Sequence, residues 1–229
     1  MVTGGNRLWQ VWRAASRLRF RRWRTTVPIS QGFGFDRGQP IDRYYIDRFL
    51  TDRREDVRGR VLEVGDDRYT RQFGSSVDQG DVLHAVVGAP GATLIGDLVS
   101  GDGLPDETFD CIIATQTLHV LYDVVAAAGN LVRMLKPGGT LLLTVPGISQ
   151  VSRWDSDQWG DYWRFTAMAA ERVMRDAGAV NVNVVTYGNV LAASAFLHGL
   201  AADELRPHEL DSHDRDYQVL VAVQAKRSA

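Results

Sequence analysis

From Arg60 onward the chain alternates short, almost wholly apolar runs with longer stretches of helical periodicity, and few folds accept that pattern. The apolar runs are Val61–Val64, a weaker one at Ser75–Val82, then Thr93–Ile95, Phe109–Ala114, Thr140–Val145, Val182–Val185 and Tyr217–Gln224. Helical spacing marks Val124–Leu135, Ala167–Ala177 and Val190–Leu205. A strand apolar on both faces must be covered on both faces, so the pattern predicts a largely parallel sheet between two helical layers. The last strand follows a helix–loop insertion and is expected to be the antiparallel member. The fold class is α/β, with a Rossmann-like sheet.

Length and composition narrow this further. At 229 residues there is room for one such domain and a short appendage. A 45% hydrophobic content excludes disorder, and the single cysteine, Cys111, excludes a disulfide scaffold and suits a reducing compartment. No apolar run approaches the roughly 18 residues of a membrane span, and no apolar core follows the basic N-terminus to make a secretory signal. The expected location is cytoplasmic, with contact to the inner face of the membrane through the basic arm as an open alternative.

Charge divides the chain. Residues 1–24 carry seven arginines and no acid, although the whole chain is at −2, so the remainder is acidic. An acidic body disfavours nucleic acid as partner. Leu8, Val11, Trp12 and Ala15 fall at helical spacing opposite Arg13 and Arg17, which reads either as a helix on anionic lipid or as one packed on its own domain or a second copy. The division is a basic arm and glycine-rich loop over residues 1–39, then a domain over 40–229. Pro40 suits the first turn of a helix, and Ile41, Tyr44, Tyr45, Phe49 and Leu50 give that helix an apolar face, ending before Gly59.

The chemistry-bearing residues cluster after the strands. Val61-Leu-Glu-Val-Gly-Asp-Asp67 is an apolar strand running into an acidic, glycine-bearing turn, where Gly65 lets a ligand approach the backbone and Glu63 is placed to hold a cationic group. Asp81 lies 18 residues beyond Glu63, about where a carboxylate gripping ribose hydroxyls is expected; Asp78 is its rival. Asp97, in Gly96-Asp-Leu98, is placed to accept from an exocyclic amine of adenine. Gln116 and His119 follow the fourth strand, and Leu135-Lys-Pro-Gly-Gly139 precedes the fifth.

In this order the motifs resemble those of class I S-adenosylmethionine-dependent methyltransferases, over about residues 40–225. The resemblance implies S-adenosylmethionine as cofactor, held by Glu63, Gly65, Asp66, Asp81, Asp97, Leu98 and Gln116. One departure stands out: Gly65 is followed by Asp67 and Tyr69 where the family carries further glycines, so the turn must take another path around the methionine moiety. The same acids disfavour a pyrophosphate cofactor such as NAD.

Phe33-Gly-Phe-Asp-Arg-Gly38, Pro40-Ile-Asp-Arg-Tyr-Tyr45 and Asp161-Tyr-Trp-Arg-Phe-Thr166 are similar to bacterial methyltransferases of polysaccharide synthesis, in particular actinobacterial enzymes that O-methylate mannose-containing oligosaccharides. That likeness implies Arg43 and Tyr44 near the methionine end. A sugar hydroxyl needs a base, for which His119 is the first choice. The segment after the fifth strand brings Trp154, Trp159, Tyr162 and Trp163 as a stacking platform, with Asp155 and Asp161 as acids. Those two acids and His119 are also an oxygen-rich option for Mg²⁺. The competing acceptor is a phenol or other metabolite. The non-enzymatic alternative is a cofactor-binding partner of a glycosyltransferase.

Overall fold

The computed structural model describes residues 25–229, so the readings for residues 7–24 lie outside the described part. Seven strands form one sheet: β1 (Arg58–Val64), β2 (Ser76–His84), β3 (Leu94–Ile95), β4 (Phe109–Thr115), β5 (Leu135–Pro146), β6 (Val180–Tyr187) and β7 (Leu220–Lys226). Their order is β3-β2-β1-β4-β5-β7-β6, parallel except for β7, which runs antiparallel to both neighbours, as the apolar runs led us to expect.

Strand periodicity sorts the core into two layers. Leu62, Ile112, Ala114, Leu141, Leu143, Val221 and Val223 face one side. There they meet Ala127, Ala128 and Leu131 of α3 (Val124–Met134) and Ala170 and Met174 of α5 (Ala167–Asp176). Val61, Cys111, Ile113, Leu142, Leu220 and Ala222 face the other. That side is covered by Tyr45, Ile46, Phe49 and Leu50 of α1 (Ile41–Asp52) and by Ala192 and Phe196 of α6 (Val190–Leu197). Successive residues of a strand point to opposite faces, so one apolar run fills both layers.

Three short helices escaped the sequence pattern: α2 (Arg68–Phe73), α4 (Arg153–Gln158) and α7 (Pro207–Asp211). α6 is also shorter than the periodic run through Leu205. It stops because Gly199 turns the chain at φ +73°, and a Cβ there would collide with the Ser30 carbonyl. Ile29 N–H donates to the His198 carbonyl at 2.8 Å, which seats residues 25–39 along the end of α6. No helix among the described residues is long and apolar enough to cross a membrane.

Candidate active site

A cavity of about 720 Å³ opens at the carboxyl edge of the sheet, against the tips of β1, β4 and β5. In an open α/β sheet, the carboxyl edge at the point where strand order reverses is the general place for a ligand. Here the order reverses between β1 and β4.

The tip of β1 turns at Gly65 with φ +98°, its N–H held by the Leu83 carbonyl at 2.9 Å, and a Cβ at Gly65 would meet nothing within 4 Å. Asp66 follows and accepts from the Arg68 N–H at 3.0 Å, closing the turn into α2. At the tip of β4, Gln116 adopts a left-handed φ of 49° with its N–H on the Thr144 carbonyl. A non-glycine residue in that conformation is held there against its own preference, as is common at functional edges.

From the first turn of α1, Asp42 and Arg43 reach the same cavity. Burial works against the Arg43 charge, but Asp42, Tyr69 and Asp155 outweigh it and keep the guanidinium charged. The roof is the segment after β5. Within it Asp161, its carboxylate fully enclosed, accepts from the Ser152 N–H at 2.8 Å and from Arg164 Nη2 at 2.8 Å. Burial opposes the Asp161 charge, yet those donors hold its carboxyl below the usual range. Ser152 in turn caps α4, accepting from the Asp155 N–H.

His119 sits in the cavity wall, buried, with Nδ1 making no hydrogen bond among the described residues. Burial pushes its imidazole down to about 4, against the opposing pull of Asp161 and Asp155. Its carbonyl accepts from the N–H groups of Tyr162 and Trp163, which fixes the ring's backbone. Tyr69 Oη and Arg164 Nε are further buried, unpartnered polar atoms on residues of the wall. Three such atoms on the residues lining one cavity, beside an open glycine turn, fit a site made for a polar ligand, because an unpaired buried group is otherwise costly.

The residues singled out in the sequence divide clearly. Arg43, Gly65, Asp66, Gln116, His119, Trp154, Asp155 and Asp161 line the cavity. Tyr44 turns away and donates to Asp211 at 2.8 Å. Glu63 caps α2 from beneath, accepting from Tyr69 N–H, Thr70 N–H and the Thr70 hydroxyl at 3.0, 2.7 and 2.7 Å, so it has no room for a cationic ligand group. Asp81 pairs in register with Leu62, three residues short of the tip of β2, and is held by Arg60 at 2.8 Å and by the Thr93 hydroxyl at 3.0 Å. Asp97 is exposed at the tip of β3 and accepts from the Val99 and Ser100 N–H groups, outside the cavity lining. Leu98 is packed in the core. Tyr162 packs edge-on against Tyr122 and Trp163 lies tilted against the same ring, and neither lines the cavity. Among the described residues no group of three or more His, Cys, Asp or Glu side chains is placed to hold a metal ion, and Asp161 is taken up by Arg164. His119, Asp155 and Asp161 therefore do not fit Mg²⁺ as a ligand set.

Sequence reasoning missed Gln31, Phe33 and Phe35 from the N-terminal loop, and Tyr69 and Arg164. The loop is tied to the roof by Gln150 Nε2 donating to the Gln31 carbonyl at 2.8 Å. The signals were present: an aromatic pair flanked by glycines, and an Asp–Arg pair three residues apart.

Residues 78–143 match the family model described as a methyltransferase domain, a stretch running from β2 into β5. No curated protein matches the sequence. Solved structures agree in fold. An S-adenosylmethionine-dependent methyltransferase from Mesorhizobium loti superposes with a TM-score of 0.54 at 15% identity, covering 82% of this chain and 98% of that one. The [4+2]-cyclase SpnF gives 0.53 at 17% identity over 84% and 85%. A Haloferax volcanii protein in complex with the Trm112 methyltransferase activator gives 0.50 at 16% over 82% and 94%. At these identities the likeness is one of fold. The matched stretch reads as a methyltransferase domain, and the whole sheet has the Rossmann-like architecture of these structures.

Proposed function

We propose that this methyltransferase acts on a hydroxyl of a carbohydrate acceptor, in line with the resemblance to enzymes that O-methylate mannose-containing oligosaccharides. The observation that carries the reading is His119: a buried, neutral imidazole with an unpartnered Nδ1, on the wall of a cavity that the exposed Trp154 also lines. An indole at the mouth offers a face for a sugar ring. Gln31, Gln150 and Asp155 supply polar groups around it. Arg43 is placed for the carboxylate of the cofactor's methionine end, and Asp66 for its ammonium.

The cofactor, when bound, supplies an electrophilic methyl group on a sulfonium sulfur. An acceptor oxygen taking that methyl group would release its proton to His119, the base of this reading, while S-adenosylhomocysteine leaves. An imidazole held near 4 is a weak base, but the oxygen becomes acidic only as the new bond forms, so a weak, well-placed acceptor is sufficient. Asp161 does not serve as base while Arg164 holds it; its part is to keep the roof in place. Asp155, whose carboxylate makes no hydrogen bond among the described residues, is placed to orient an acceptor hydroxyl.

The test is a release assay for S-adenosylhomocysteine with mannosides, other glycosides and phenols offered in parallel. Turnover on glycosides above the acceptor-free background supports the reading. Turnover on phenols alone would transfer it to a small-molecule enzyme, and binding of cofactor with no transfer to any acceptor would favour the non-enzymatic partner role.

A further inference from the structure

Among the described residues four arginines line the cavity, and three of them are engaged. Arg164 is held by Asp161, Arg43 stands 3.8 Å from Asp42, and Arg68 lies over the Tyr69 ring, 5.4 Å from its centroid. Arg153 makes no hydrogen bond, ion pair or ring contact among the described residues. Arg43 already answers the methionine carboxylate in the reading above, so the wall keeps a cation that the cofactor does not use.

Arg153 has candidate partners on its own helix. Asp157 stands four residues on, the spacing and order at which Arg172 holds Asp176 at 2.8 Å in α5. Among the described residues no such pair forms in α4, and Arg153 lines the cavity instead. Asp155 is two residues on, a spacing at which helical side chains do not face each other. The backbone beneath is fixed: the Ser152 N–H donates to the enclosed Asp161 carboxylate at 2.8 Å, and Ser152 Oγ accepts from the Asp155 N–H at 3.3 Å. Trp154, the next residue, is exposed on the same wall. A guanidinium is a planar fork of donors that matches a carboxylate or a phosphate. Such a fork, on a pinned backbone beside a stacking indole, is fitted for an anion carried by a sugar.

We propose that the acceptor is anionic, and that Arg153 binds its carboxylate or phosphate group while Trp154 meets the sugar ring. This deepens the carbohydrate reading and rests on it. A neutral glycoside keeps the stacking contact and lacks the charged one, so the two classes differ by one charge-assisted interaction, about tenfold or more in kcat/KM.

Release of S-adenosylhomocysteine by the full chain tests it, with methyl mannoside, mannuronic acid, mannose 1-phosphate and mannose 6-phosphate offered in parallel. At least one charged acceptor should exceed the neutral one by that factor, and whether a uronate or a phosphate leads tells which anion the site takes. Arg153→Ala should raise KM for that acceptor about tenfold or more with a smaller change in kcat. Arg153→Glu should raise it further, and Arg153→Lys should recover part of the loss. Calorimetry should find S-adenosylhomocysteine bound within threefold of the parent in all three variants. A neutral glycoside used as well as every charged one, or better, overturns the proposal and leaves the carbohydrate reading standing. An unchanged KM in Arg153→Ala does the same, and if S-adenosylhomocysteine affinity falls in that variant, Arg153 belongs to the cofactor instead. If no glycoside, charged or neutral, is methylated, the carbohydrate reading fails first and takes this assignment with it.

Discussion

His119 and Glu63 show how little a residue's type says until its partners are known. Both are buried, burial shifts both from their ordinary values, His119 down to about 4 and Glu63 up to about 7, and both sit close to the turn after β1 or β4. His119 lines the cavity and its Nδ1 has no hydrogen-bond partner among the described residues, so replacing it should harm chemistry more than folding. His119→Ala is expected to lower turnover by about 10²- to 10⁴-fold, the usual range for a positioned general base, with cofactor affinity within threefold. Single-turnover kinetics beside calorimetry separates the two; normal turnover would retire His119 from catalysis. Glu63 spends its carboxylate on three donors of α2. Glu63→Ala leaves those donors buried without an acceptor and should cost about 2–3 kcal/mol of stability, read from denaturant unfolding, whereas Glu63→Gln, which keeps one acceptor oxygen, should cost less. A sequence marks Glu63 as an acid beside a glycine turn; it cannot mark that the helix following the turn begins at Arg68 and faces back onto it.

At the scale of elements, legibility followed length and burial. The buried strands β1, β4 and β5 and the helices α3 and α5 stand out because a two-sided apolar run or a repeated stripe leaves few alternatives. The six-residue helices α2 and α4 are too short to show a period. The first half of β2 is exposed and polar, so its far end read as Val82 although the strand continues to His84. That displacement of two residues was enough to make Asp81 look like a strand-tip acid. The roof element rests on one enclosed pair. Asp161→Ala takes the shared carboxylate from Arg164 and the Ser152 N–H at once, leaving Arg164 only the Gln150 and Trp163 carbonyls, and since hydrogen bonds to charged groups contribute about 1.5–3 kcal/mol each, a loss of about 2–3 kcal/mol is expected, shared between global and local opening. Hydrogen exchange should show it: amides of residues 148–165 lose protection by tenfold or more while those of β1 and β4 keep theirs. Equal loss throughout would mean that the pair holds the whole domain rather than the roof.

For the molecule as a whole, buried titrating groups pull stability in opposite directions with pH, His119 one way and Glu63, joined by Asp42 and Asp47 which burial also raises, the other. His119 is held down at about 4 by burial, below the unfolded value near 6.5, so between those values the unfolded chain binds the extra proton and stability is lost as pH falls. Glu63 is pushed up to about 7 by burial, against its Thr70 and Tyr69 hydrogen bonds, above an unfolded value near 4.5; there the folded chain binds the extra proton and stability is lost as pH rises. The windows overlap from about pH 4.5 to 6.5, with slopes of about one proton each and opposite sign. Asp81, Asp110 and Asp161, held below the usual carboxylate range, add their losses only at more acidic pH. The parent protein should therefore show a shallower stability profile across pH 4.5–6.5 than either His119 or Glu63 would give alone. His119→Gln removes one arm and should leave stability falling as pH rises through that window. Glu63→Gln removes the other and should leave it rising. Urea midpoints at half-unit pH steps read both slopes. A steep parent profile, or two variants sloping the same way, would show that the opposing burial of these two groups does not govern how the domain responds to acid.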